Sequence, residues 1–122
     1  MKVIENEQLI MIDVDDTLVM WGSENIDYKR VLVEDPYDNK TVELRAHAGH
    51  IKVLKDRKAR GAFIVVWSAG GYKWAEAVVK ALQLESYVDI IASKPFMYID
   101  DKLAEDILGE RLYLGANSKY GV

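Results

Sequence analysis

The chain contains no cysteine. That excludes a disulfide framework and a thiolate zinc site, and it fits a reducing compartment, so a cytoplasmic location is expected. A basic excess is missing too. Sixteen Lys and Arg stand against 20 Asp and Glu, for a formal charge of -4. This argues against a general nucleic-acid binder but leaves open a small phosphorylated substrate or a local basic patch. No apolar run approaches the roughly 18 residues of a membrane span, so no membrane partner is expected. The start, Met1-Lys2-Val3-Ile4-Glu5-Asn6-Glu7, is too polar for a signal peptide. There is no internal repeat and no low-complexity segment. What remains is a 122-residue chain, half of it hydrophobic. This suits one domain over residues 1–122, burying somewhat more than ~60% of its unfolded surface.

The apolar pattern alternates between strand and helix. Residues 8–13 read as a first strand. Residues 18–29 are irregular, with Trp21-Gly22-Ser23 as a turn signal. Arg30–Glu34 and Thr41–Arg45 flank the turn formers Asp35-Pro36-Tyr37-Asp38-Asn39-Lys40 and predict a hairpin. Ile51, Leu54 and Ala59 predict a helix over 47–60 that stops at Gly61. Ala62–Trp67 is a continuous apolar run, as in a strand buried on both faces of a parallel sheet. Ser68-Ala69-Gly70-Gly71 breaks it, and Trp74, Val78, Ala81 and Leu82 predict a helix over about 72–84. Tyr87–Ala92, a short Phe96–Ile99 and Arg111–Leu114 read as further strands, with a short helix over 102–108 and a loose tail from Gly115 to Val122. The result is an α/β fold with a mainly parallel, five-stranded sheet.

Sites in such sheets lie beyond the carboxyl ends of the strands. There the sequence places Asp13 and Asp15, Ser68, Lys94, and Asp100-Asp101. Carboxylates as close as Asp13, Asp15 and Asp16 repel one another, by about 4 kcal/mol for a pair 4 Å apart at an effective dielectric of 20. Such crowding at a strand mouth calls for a cation or a reaction, and a hard ion such as Mg2+ suits oxygen ligands.

In these residues the chain resembles the haloacid dehalogenase-like (HAD) superfamily of phosphohydrolases. Its first motif, an apolar strand ending Asp-x-Asp-x-Thr, stands as Asp13-Val14-Asp15-Asp16-Thr17. The second is Val65-Val66-Trp67-Ser68, the third Lys94 in Ser93-Lys94-Pro95, and the fourth Tyr98-Ile99-Asp100-Asp101. The resemblance spans residues 8–114, and the ordered set is far more specific than any one motif. It implies a Rossmann-like three-layer sandwich and a Mg2+-dependent phosphatase acting through an aspartyl-phosphate. Asp13 would be the nucleophile, and Asp15 would protonate the leaving group and then activate water. Asp13, the carbonyl of Asp15 and Asp100, helped by Asp101, would form the metal site. Lys94 would offset charge, while Thr17, Ser68, Ala69, Gly70 and Lys94 would hold the phosphoryl group. Two features depart from the family. Position 16 is Asp where Gly is common, and residues 18–46 leave room only for a β-hairpin flap at about 30–45, not for a cap domain.

The implied substrate is a phosphate monoester, either a small molecule such as a nucleotide or sugar phosphate, or a polynucleotide 3′-end. A neighbouring copy could serve as lid in a homo-oligomer. Two other readings compete. A catalytically silent HAD-like binding scaffold would keep the fold alone. A signalling receiver domain shares the Lys-Pro pair, but it needs a mid-chain acceptor Asp, and the only one in that interval is Asp56, in a basic helix. His47 and His50 sit at a helix start, and Trp21, Tyr28 and Tyr37 lie on or near the flap, where packing is a commoner fate than substrate contact. Trp67 and Trp74 read as core. Lys52–Arg60 reads as a solvated helix face.

Overall fold

In the computed structural model, residues 8–22 and 27–115 are described. The polar start Met1–Glu7, Ser23 of the expected turn, and residues 116–122 of the tail lie outside them. Leu9–Asp13 forms β1 and Phe63–Ser68 forms β5. They pair in parallel, with Leu9 opposite Phe63 and Asp13 opposite Trp67. Ile90–Ser93, β6, continues the sheet on the far side of β5, with Ser68 opposite Ser93. The order is therefore β1-β5-β6. The central strand β5 buries Ile64, Val65 and Val66, as its unbroken apolar run predicts.

A second, antiparallel sheet has the order β2-β4-β3, from Val19–Met20, Lys40–Ala46 and Arg30–Asp35. The predicted hairpin is present, and its turn rests on local hydrogen bonds. Asp35 Oδ1 accepts from Tyr37 N–H at 2.8 Å, the Asp35 carbonyl accepts from Asn39 N–H at 3.0 Å, and Asn39 takes φ +52°. The hairpin is less of a flap than expected. Val33 and Leu44 are fully buried in the same core cluster as Ile64, Val66 and Leu54.

Two helices complete that core. The first, α1, runs Ala48–Ala59 and buries Leu54. It ends in a Schellman arrangement: Ala62 N–H donates to the Arg57 carbonyl and Gly61 N–H to that of Lys58, with Gly61 at φ +94°. The second, α2, runs Tyr72–Ala81 and buries Trp74, Ala75, Val78 and Val79. Gln83, at φ +57°, closes it earlier than expected. A 3-10 turn over Glu85–Tyr87 replaces the first part of the strand predicted at 87–92. There Asp89 accepts from Ile64 N–H at 2.8 Å and pairs with Lys58 at 2.8 Å, so regular pairing starts only at Ile90.

Among the described residues the five-stranded parallel sheet is not observed. Its place is taken by a three-stranded parallel sheet and a separate antiparallel one. Phe96–Ile99 forms no strand, and Phe96 and Ile99 are 99% and 95% exposed. The link explains this. A parallel strand starting at Phe96 would begin at the edge opposite to where β6 ends, about 10 Å back along a four-residue strand. The open edge of β1 lies about 14 Å across the sheet as well, and the three steps from Ser93 to Phe96 span at most about 11 Å. Arg111–Leu114 is not a strand either. The Leu114 N–H and C=O, which a ladder would use, are both taken by histidines. The helix predicted over 102–108 is reduced to one turn, α3, at Ala104–Ile107.

Candidate active site

The register of the parallel sheet brings the ends of β1, β5 and β6 to one edge. Asp13 stands beside Trp67, and Ser68 beside Ser93. The Lys94 N–H donates to the Ser68 carbonyl at 2.9 Å, which fixes the start of the lysine. Its Nζ reaches Asp13 Oδ1 at 3.1 Å, and Thr17 Oγ1 donates to Asp13 Oδ2 at 3.0 Å. Three of the residues expected together, Asp13, Thr17 and Lys94, are thus in direct contact. Lys94 is also 5.8 Å from the centroid of the Trp67 ring.

A tight loop follows β1. The Val14 carbonyl receives the N–H groups of Thr17, Leu18 and Val19 at 2.9–3.2 Å. Asp16 sits at φ +59° in this turn, a conformation that Asp tolerates better than most side chains. Its Oδ1 accepts from Trp21 N–H at 3.1 Å and its carbonyl from Tyr113 Oη at 2.8 Å. Asp16 therefore has a structural task in the turn.

Asp15 accepts hydrogen bonds from three side chains. Its Oδ1 accepts from Trp21 Nε1 and Trp74 Nε1, each at 3.0 Å, and its Oδ2 lies 3.4 Å from Ser68 Oγ. The two indole rings are 6.2 Å apart. Trp74 is buried, as expected of core, but its polar edge faces the site. The sequence gives no spacing signal for this, because Trp74 also fits the apolar face of α2.

Ser68 is fully buried, and its Oγ accepts from Gly70 N–H at 3.0 Å. The expected phosphoryl ligands Ser68 and Gly70 thus bond each other, while Ala69 is exposed on the same turn. A Cβ at Gly70 would come within 3.3 Å of both Ser68 Oγ and Trp74 Cδ1. Gly71, at φ +98°, leaves no room for a Cβ against the Tyr37 hydroxyl of the hairpin. Tyr37 therefore reaches the rim of this edge from the second sheet.

The second acid pair is not gathered with the first. Asp100 and Asp101 are exposed, and Asp100 Oδ1 caps the Lys102 N–H at 2.9 Å. Among the described residues, no three His or carboxylate side chains are grouped closely enough to hold a metal ion. Asp13 faces the Lys94 ammonium and Asp15 faces two indoles, so these carboxylates and the second pair do not point to one centre.

The two histidines serve another purpose. His50 Nε2 accepts from Leu114 N–H at 2.8 Å, so its Nδ1 carries the proton and donates to the Thr17 carbonyl at 2.7 Å. His47 Nδ1 accepts from His50 N–H at 3.1 Å and caps α1, so its Nε2–H points to the Leu114 carbonyl at 3.2 Å. The rings stack 3.8 Å apart. This neutral pair straps residues 113–114 onto the loop after β1. Burial lowers the His50 pKa below its ordinary value near 6.5; the Thr17 carbonyl opposes that shift and His47 adds to it. Burial raises the Tyr28 pKa, with Tyr113 adding to the effect. Tyr28 lies 5.0 Å from the His47 ring.

No helix among the described residues is long and apolar enough to cross a membrane. Comparison with models of protein families, with curated proteins and with solved structures yields no significant match.

Proposed function

We propose that this protein is a HAD-like phosphate monoesterase with a Rossmann-like core and no cap domain. The observation that carries the reading is the Asp13–Lys94 contact at 3.1 Å, at the shared carboxyl edge of three parallel strands. Lys94 neutralises the nucleophile and offers a cation to an incoming phosphate dianion. Asp13 attacks phosphorus, and the ester oxygen leaves with a proton from Asp15. Water then gives a proton to Asp15 and displaces Asp13 from the aspartyl-phosphate. Fixed charge and positioning supply most of the rate enhancement in such chemistry. A nucleotide, a sugar phosphate or a polynucleotide 3′-phosphate suits the open edge.

Mg2+ is the proposed cofactor, with Asp13, the Asp15 carbonyl, Asp100 and Asp101 as its ligands. Those groups do not converge in the arrangement described. The test is hydrolysis of a panel of phosphorylated metabolites, nucleotides, oligonucleotide 3′-phosphates and an aryl phosphate, with and without Mg2+. Asp13→Asn should abolish turnover, and retained activity would sink the assignment.

The burial of Ser68 and the separation of the acid pairs favour a second reading, a silent HAD-like binding scaffold. It predicts no turnover across the whole panel.

A further inference from the structure

Two tryptophans share one oxygen of one carboxylate. Trp21 Nε1 and Trp74 Nε1 each donate to Asp15 Oδ1 at 3.0 Å. The two come from different elements. Trp74 is buried on α2, while Trp21 follows β2, is 46% exposed, and has its backbone N–H tied to Asp16 Oδ1. Indole is a donor only and cannot accept a proton. Two such donors occupy both lone pairs of Oδ1, and a proton placed there would face two N–H groups. Oδ2 has a different neighbour. Ser68 Oγ, at 3.4 Å, is a hydroxyl that can rotate to donate or to accept.

We propose that Trp21 and Trp74 are positioning residues that clamp Asp15 Oδ1 and thereby make Oδ2 the oxygen that carries the catalytic proton. The proposal rests on the phosphatase reading above. In the first half-reaction a bond forms between an Asp13 carboxylate oxygen and phosphorus. The bond from phosphorus to the ester oxygen breaks, and that oxygen takes the proton from Asp15 Oδ2. In the second, water oxygen bonds to phosphorus, its proton passes to Asp15 Oδ2, and the phosphorus–Asp13 bond breaks. The clamp holds the same oxygen in place through both. It also links proton transfer to the start of the excursion that leads into the hairpin, through Trp21.

The clamp makes a prediction about leaving groups. An alkoxide needs its proton in the transition state, whereas the anion of an acidic phenol leaves without one. Trp21→Phe and Trp74→Phe keep the ring and delete one donor. Each should lower kcat/KM for an alkyl phosphate about 10-fold, as expected for one hydrogen bond to a charged group. The loss for p-nitrophenyl phosphate should be under about 3-fold, because little general-acid help is needed there. A purely structural loss would lower both substrates alike. Trp74 is buried, so its variant is paired with the exposed Trp21, whose replacement leaves the core intact.

A second readout needs no turnover. In 15N-labelled protein, Asp15→Ala should shift both the Trp21 and the Trp74 indole N–H resonances and speed their exchange with solvent. Equal losses on the two substrates, or indole resonances indifferent to Asp15→Ala, would overturn the clamp while leaving the phosphatase reading intact. Turnover that survives Asp13→Asn would overturn that reading, and the clamp's catalytic role with it.

Discussion

The chain carries two pairs of acids, each at the end of an apolar stretch, and the fold treats them differently. Asp13 and Asp15 sit at the mouth of β1 and are held by Lys94, Thr17, Ser68 and two indoles. Asp100 and Asp101 follow an equally apolar stretch, yet they are exposed, and Asp100 caps its own turn. The difference does not lie in the acids. β1 is paired along its whole length with β5, and that pairing aims its carboxylates at groups from β5, β6 and α2. Phe96–Ile99 pairs with no strand, so nothing aims Asp100 and Asp101. A carboxylate becomes part of a site when a strand's register delivers it to partners, not because an apolar run precedes it.

The contrast can be broken most severely at Lys94. Lys94→Met keeps the length of the side chain but removes the cation facing Asp13. Loss of one preorganised charge of this kind costs about 10²–10³ in kcat. Steady-state kinetics on an aryl phosphate checks this, and a loss below 10-fold would mean that the first pair works without its lysine.

The next test asks whether the second pair can be recruited. If Mg2+ draws Asp100 and Asp101 toward Asp13, the amides of residues 96–101 should become protected from hydrogen exchange on adding Mg2+. Asp100→Asn should then raise the Mg2+ concentration needed for half-maximal activity, and Asp101→Asn should raise it less. Mg2+-dependent turnover with no change in protection at 96–101 would leave the two pairs separate in function as well as in structure.

The smallest expected effect concerns the strap that lies over the first pair. His50 is neutral in the fold and its pKa is lowered, so the unfolded chain binds the extra proton first. Stability should therefore be fully present above pH 6.5 and should fall as pH drops from there toward the lowered value. Protonation would also place a donor at Nε2 against Leu114 N–H. Thermal unfolding between pH 7.5 and 5 should show this slope, and His50→Gln should flatten it. A wild-type slope that survives in the variant would assign the acid sensitivity elsewhere.

Much of the first half of the site was legible in the residues. The apolar runs at 8–13 and 62–67 forecast parallel strands, and their polar ends forecast Asp13 and Ser68 at one edge. The indole edges of Trp21 and Trp74 were not legible. A tryptophan on the apolar face of a helix looks the same whether its N–H meets a carboxylate or a carbonyl. The sequence places the histidines at a helix start and no further; their fastening role appears only in the fold, which brings the Leu114 N–H and C=O within reach of both rings.

Sequence alone determined the α/β character, the hairpin, the two long helices and the acids beside a Thr at the end of the first strand. Those follow from periodicity and turn chemistry, which act over a few neighbouring residues. Tertiary structure decided which polar ends meet. Lys94 reaches Asp13 because β5 lies between β1 and β6 in one register, and Asp100 stays apart because two residues cannot carry the chain back across the sheet. Strand order and link length are global quantities, and no local pattern of side chains encodes them.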